Sequence, residues 1–360
     1  MTHQYKRLFV FCACMLSVVG IVFVYSASTY WSSVHYEGQT PFYIKQLVYF
    51  LLACVVFFVV VKGPSITEKH AFWLYVISLV LLVAVLIPGI GIWRNGSRSW
   101  IGIGPLTLQP AELVKITTLL YLSIRLAKVK SYERVVKLEH FIILFIPATL
   151  IMLQPDFGAV FILIVTGFVL LFIAKYPIKL YVLCLALGAG GLVYLILSAP
   201  YRLKRIEAFL NPWADSLGSG FQAVQSLLAI GPAGLFGHGF LQSRQKYLYL
   251  PEPQNDFIFS ILLEEIGLIG GAGVLLLFTV LLYSGYSLAV RAYSLEQFYI
   301  ICALTSMIAI QACLNIGVVI GLLPVTGVTL PFISYGGTSL VVVWLTVALI
   351  INVANSGRRE

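Results

Sequence analysis

Long apolar runs, each ended by a short polar or Pro/Gly-containing stretch, recur from one end of the chain to the other. At about 20 residues such a run spans roughly 30 Å as a helix, the thickness of a bilayer's hydrocarbon core, and the runs are too continuous for tilted barrel strands. Ten helices are predicted, near 8–27, 43–61, 71–90, 110–127, 140–153, 158–174, 177–197, 257–288, 297–321 and 338–354. The fifth and sixth are short and parted only by "QPDFG". The expected fold is all-α, a polytopic membrane helical bundle forming one domain over 1–360.

One connection breaks this rhythm. Residues 198–256 make a loop too long to be a bare link, mixing charge, glycine and short apolar pieces, of which "AVQSLLAIG" reads as a helix at the membrane interface. Placing the N-terminus in the cytoplasm puts most loop cations, from Lys6 and Arg7 to Arg291, on the inner side. The short outer loops then hold only Lys45, Arg94 and Arg98. Both termini are expected in the cytoplasm, and the large loop outside, between the seventh and eighth helices.

Composition agrees with the pattern: 60% of residues are hydrophobic, 10% are charged and the mean hydropathy is +0.97, far from a soluble domain. The net charge of +9 follows from membrane topology and attraction to anionic lipid, so no nucleic-acid partner is expected. All six cysteines lie within apolar runs, which supports neither a disulfide framework nor a zinc cluster. The first run has a basic start like a signal peptide but is long for one, and is expected to remain as a helix.

Only 14 residues are acidic, yet Glu252, Asp256, Glu264 and Glu265 crowd "LPEPQNDFIFSILLEE", at the start of the eighth helix. Asp256 has two readings, a helix N-cap and a catalytic carboxylate. As a cap it would accept backbone N–H groups and sit at low pKa, a state suited to ion pairing or to a metal. Glu264 and Glu265 lie about 12 and 14 Å further along the helix, turned from Asp256 by about 80° and 180°. Only Glu264 is therefore expected to line the same cavity, while helix-packing ion pairs are the structural alternative for both.

In "GPLTLQPAELVK", Pro110 opens the fourth helix and places Glu112 and Lys115 one turn apart on one face. Lys115 is expected to pair with Glu112, Glu264 or Glu265, or to meet a phosphate. "WRNGSRSWIGIG" sets Arg94 and Arg98 between Trp93 and Trp100 as interface anchors that also face outward, and Arg244 and Lys246 enlarge that positive surface. "GPAGLFGHG" lacks the ending of a phosphate-binding loop, and Gly267 with Gly271 has the spacing of close helix packing. "GLLPVTGVTLPFISYGGTS" puts irregular, uncharged backbone at membrane depth, the mark of a pocket wall or a packed re-entrant turn.

Together, "NGSRSWI", "LQPAELVK", "QPDFG", "PEPQNDFIFSILLEEIGLIGG" and "GLLPVTGVTLPFISYGGTS" resemble, in order, the motifs of the SEDS family (shape, elongation, division and sporulation proteins, including FtsW, RodA and SpoVE). "SRQKYLYLPEPQNDFIF" is more similar to the FtsW and SpoVE branch. Two departures stand out: Ser99 intervenes between Arg98 and the tryptophan before which many members carry arginine, and Pro232 and Ala233 replace small residues of the glycine-rich loop.

The resemblance implies a peptidoglycan glycosyltransferase of the bacterial cell membrane that polymerises lipid II at the outer face and works with a class B penicillin-binding transpeptidase. A lipid II hydroxyl would attack the anomeric carbon of the growing glycan, releasing undecaprenyl pyrophosphate. The family's essential loop aspartate falls on Asp256, expected to activate that hydroxyl or orient a divalent cation such as Mg or Mn. Arg98, Lys115 and Lys246 are the expected pyrophosphate cations, with Glu112, Glu252, Glu264 and Glu265 in support. A lipid II flippase, which predicts a continuous polar track across the membrane, and a scaffold of the wall-synthesis complex are the alternatives.

Overall fold

A computed structural model describes residues 2–35, 41–94, 97–103, 106–129, 137–184, 186, 190, 207, 209–247 and 249–356. The first half of the described chain holds α1 (Thr2–His35), α2 (Phe42–Lys62), α3 (Glu68–Leu86), α4 (Pro110–Ala127), α5 (Leu138–Met152) and α6 (Phe157–Ile173). They are followed by the short α7 (Phe221–Ile230) and by α8 (Ile258–Val290), α9 (Leu295–Val319) and α10 (Gly337–Ser356). The helical membrane bundle is as expected. Six of the helices, α1, α2, α3, α8, α9 and α10, are long and apolar enough to cross a bilayer. Of the expected seventh helix, residues 178–184 are helical and most of the remainder lies outside the described residues, as do 198–206 of the large loop.

Local chemistry sets many of the ends. Thr67 caps α3 in a box with His70, Pro110 sits in the first turn of α4, the Asp156 carboxylate accepts from Ala159 N at 3.0 Å to start α6, and Ser294 caps α9. Within the bundle α1 packs along α8, α2 along α10, and α4 lies between α3 and α9. α9 is the inner helix, with 78% of its apolar window buried against 17% for α2, whose surface is left to lipid.

A small antiparallel sheet interrupts the helical pattern. α3 stops at Leu86 rather than near 90, because Pro88 and Gly89 cannot continue it, and three strands follow: β1 (Gly91–Arg94), β2 (Ser97–Ile103) and β3 (Leu106–Leu108). Gly91 pairs with Ile101 and Ile101 with Leu108. The sequence signals were the alternation in "SRSWIGI" and the Asn95-Gly96 pair between two apolar stretches.

At the far end of α4 from this sheet, Arg125 bridges Glu68 (2.9 Å) and Glu139 (2.6 Å), and Lys128 joins Glu68, tying α3, α4 and α5 together. Part of the chain between α9 and α10, for which its composition allows a pocket wall or a packed re-entrant turn, packs into the fold. Leu330, Phe332 and Ile333 are buried, and α1 approaches so closely that a Cβ on Gly20 would lie 2.5 Å from Phe332 O.

Candidate functional site

The loop 250–257 that carries Asp256 is held from three sides. Leu250 N donates to Gln245 O (3.0 Å), Tyr335 N donates to Gln254 O (2.8 Å), and Asn315 Nδ2 on α9 donates to Asp256 O (2.7 Å). Leu250 and Phe257 are fully buried, so the loop is anchored by apolar side chains as well as by its backbone. Asp256 is not the cap of α8: the helix begins at Ile258 after Phe257, with no side-chain cap hydrogen bond. A low pKa is therefore not what the carboxyl acquires. Burial pushes it up from an ordinary 3.8 to about 6, its own backbone amide partly offsets this, and the Glu252 charge pushes it further up. Such a group is matched to proton transfer near neutrality.

A second polar group hangs on the same re-entrant segment. Lys115 Nζ lies 2.7 Å from Glu112 Oε1 and 3.4 Å from Gln311 Oε1, and Gln311 Nε2 donates to Thr329 O (3.1 Å). One turn along α9, Asn315 Nδ2 donates to Val328 O at 2.7 Å. Val328 in turn packs on Gly158, where a Cβ would meet its Cγ2 at 2.3 Å. That contact brings in the start of α6, where Asp156 accepts from Gln109 Nε2 (2.9 Å). Burial raises the Asp156 pKa; the Ala159 N–H, the Lys115 charge and Gln109 oppose it, and Glu112 adds to it. Segment 326–329 thus joins the Asp256 loop to a group made of the buried Lys115 and the half-buried Glu112 and Asp156. Asp156, Gln109, Gln311 and Asn315 belong to no charged cluster in the sequence; their signal is polar residues at the ends of, or one turn apart within, apolar helices.

Glu264 and Glu265 do not take the expected partners. Glu264 accepts from Ser243 Oγ (2.5 Å), Arg244 N (2.8 Å) and Gln245 N (3.4 Å), capping a turn of the large loop and not meeting Lys115. Glu265 holds Lys246 Nζ at 3.0 Å and Ser26 Oγ of α1 at 2.5 Å, all three side chains buried. Lys246 is therefore spent inside the fold and does not present a cation outward. Arg98 likewise runs across Gly91 to the carbonyl of Leu86 (3.5 Å) and lies 5.8 Å from the Trp93 ring centroid, an anchor of the sheet.

The reason these glutamates meet the loop is a break in α8. Gly267 has φ of 66° and ψ of −169°, so the helical ladder stops there, and the loop supplies the missing partners. His238 N and Gly239 N donate to Glu264 O (2.9 Å) and Glu265 O (3.0 Å), while Leu268 N and Ile269 N donate to Gly234 O and Leu235 O (3.1 Å each). A Cβ on Gly267 would sit 2.3 Å from Leu235 O, and one on Gly237 2.3 Å from Glu265 O. Gly267 is thus a backbone junction with the large loop and not a helix-packing contact, and "GLFGHG" is the segment that fills the break.

For a divalent cation, no group of three His, Cys, Asp or Glu side chains converges among the described residues. Glu252, which accepts from Asn255 Nδ2 (2.6 Å), is the carboxylate whose charge acts on Asp256. Two carboxylates suit an ion of the Mg type that takes its remaining ligands from water and substrate phosphate.

Residues 6–359 match the family described as "Cell cycle protein", which covers FtsW, RodA and SpoVE. The chain is 45% identical over 355 residues to stage V sporulation protein E of Bacillus subtilis, covering 96% of this chain and 95% of that one. It is 38% identical over 358 residues to the probable peptidoglycan glycosyltransferase FtsW of Coxiella burnetii, covering 98% and 96%. Its fold is similar to a chain in a peptidoglycan synthase complex solved to show how polymerization and crosslinking are coordinated, with a TM-score of 0.79, 29% identity and 98% of both chains covered. It is also similar to the crystal structure of the rod shape determining protein RodA of Thermus thermophilus, with a TM-score of 0.68, 27% identity, and 97% and 96% covered.

Proposed function

The chain belongs to the FtsW/RodA/SpoVE family, and from that premise we propose that it is a peptidoglycan glycosyltransferase polymerising lipid II at the outer face of the bacterial cell membrane, with Asp256 as its general base. The observation that carries this reading is the Asp256 carboxyl, pushed up to about 6 and held in a loop pinned to α9 and to the re-entrant turn. In its ionised form Asp256 takes the proton of an incoming lipid II hydroxyl, which attacks the anomeric carbon of the growing glycan as undecaprenyl pyrophosphate leaves. A single base on the attacking side suits direct displacement with inversion.

Lys115 is the cation proposed for the leaving pyrophosphate. Its ammonium is buried, as that of Lys246 is, but it hangs on the segment that also bonds the Asp256 loop, and among the described residues Glu112 and Gln311 take two of its three donors, leaving one for an anionic oxygen. Glu112 holds that ammonium in place beside the Asp156 charge, and Arg98, Lys246, Glu264 and Glu265 support the surrounding fold. A divalent cation would be held by Asp256 and Glu252 and would neutralise pyrophosphate charge; the proton transfer to Asp256 does not depend on it.

The alternative, transport of the lipid-linked precursor, needs a polar track from one side of the membrane to the other. α4 bears no charged residue between Lys115 and Arg125, about 15 Å of helix, which favours an enzyme with its chemistry at one end. The partner proposed is a class B penicillin-binding transpeptidase, supported by the likeness to a synthase that coordinates polymerization with crosslinking. Reconstitution of the full chain in liposomes with lipid II, with and without that partner, tests the reading by scoring glycan polymer and lipid translocation separately. Polymer is expected; translocation without polymer under both conditions would overturn it.

A further inference from the structure

Asn315 lies one turn beyond Gln311 on the inner helix α9 and is buried, yet it has no place in the chemistry so far described. Its single amide nitrogen donates to two backbone carbonyls on different loops, Asp256 O and Val328 O, each at 2.7 Å. Both contacts fall on Nδ2, which fixes the amide's orientation, since the flipped group would set an oxygen against two carbonyls. Asn315 Oδ1 is left buried without a partner among the described residues.

This arrangement is specific to asparagine. Aspartate has the length but no donors, leucine has the shape but no polar group, and glutamine has both donors on a side chain one methylene too long. Asp256 O lies outside the α8 ladder, because Ser260 N turns back to Phe257 O (3.0 Å). The carbonyl of the proposed base is therefore tied to α9 through Asn315 and to segment 326–329, which also bears the Lys115 group through Gln311 and Thr329.

We infer that Asn315 is a positioning residue for the glycosyl transfer, fixing the main chain of Asp256 and its distance from the Lys115 group with one two-donor clamp. The inference rests on the reading of Asp256 as the base. Release of the clamp lets the 250–256 loop relax, and the Asp256 carboxyl loses its alignment with the attacking hydroxyl.

The test is steady-state polymerisation of lipid II by the full-length protein with the proposed transpeptidase partner, for wild type, Asn315→Leu, Asn315→Gln and Asp256→Asn. Asn315→Leu is expected to lower kcat by about 10- to 100-fold with KM within about twofold, the loss typical of a misplaced catalytic group. Asn315→Gln, which keeps both donors, recovers part of kcat. If Asn315→Leu does not fold, Asn315→Ser, which keeps one donor, carries the same comparison with a smaller fall. Wild-type kinetics in Asn315→Leu, or a fall in kcat that Asn315→Gln does not recover at all, overturns the inference. Wild-type rates in Asp256→Asn remove its premise instead, whereas an inactive Asp256→Asn beside a fully active Asn315→Leu overturns the positioning role alone.

Discussion

Lys246 Nζ lies 3.0 Å from Glu265 Oε1, and the pair is sealed inside the protein between the large loop, α8 and α1. A buried pair is costly to break because the surviving charge has no water to return to. Lys246→Met and Glu265→Gln are each expected to destabilise the protein by about 3–5 kcal/mol, and the double variant by much less than the sum. Melting temperatures in detergent check this; additive losses would show that the two side chains act independently.

Gly267→Ala is expected to be more damaging than a typical glycine change within a helix. The new Cβ would meet Leu235 O at 2.3 Å in a backbone of positive φ, so the four hydrogen bonds that splice the loop into α8 cannot all persist. A loss of several kcal/mol, read as low membrane yield and a depressed melting temperature, is the expected result. Gly273→Ala, with open space around its Cβ, serves as the control and should be tolerated.

The state of Asp256 makes a pH prediction with a definite sign. Its pKa is about 6 in the fold against 3.8 ordinarily, and the base works when ionised. The polymerisation rate should therefore fall as pH drops through about 6, well above the range of an exposed carboxylate. Stability runs the other way: the fold favours the protonated acid, and that advantage is lost as pH rises through about 6. Asp256→Asn should then be more stable than wild type by about 1–3 kcal/mol above pH 7, and equal to it near pH 4. Unfolding measured at both pH values checks the second half.

Lys115 and Arg98 separate by environment. Lys115→Met is expected to lower kcat by about 100-fold, through loss of charge stabilisation at the leaving group. Arg98→Ala acts on the sheet that Arg98 braces and should lower stability by about 1 kcal/mol while changing kcat far less. Steady-state kinetics beside melting temperatures distinguishes them; an equal fall in kcat would return Arg98 to the site.

Legibility in the sequence followed locality. Apolar runs of bilayer length are a local signal, and α2, α4, α6, α8, α9 and α10 lie close to where that signal places them. The hairpin of β1 and β2 was harder to read, because its Trp and Arg residues look the same as membrane-interface anchors. For the glutamates, a helical projection from Asp256 assumed a continuous helix. α8 instead begins at Ile258, breaks at Gly267, and receives its partners from residues 234–246 folding back, a long-range arrangement that spacing does not encode. Asp256 stood out as an acid at a helix start, yet its raised pKa depends on burial by the loop and on Glu252, which only the packed structure shows. Asn315 and Gln311, uncharged residues within an apolar helix, carry only a faint local signal, and their contacts come from the 326–329 segment laid against them.

Asp256 is the proposed base, and its role is read from the rate at which Asp256→Asn, purified with the proposed transpeptidase partner, polymerises lipid II at neutral pH. The substitution keeps the size of the side chain and removes its basicity, so the rate should fall by at least about 100-fold, with the protein folded and the partner bound. Glycan made at the wild-type rate would exclude Asp256 as the base.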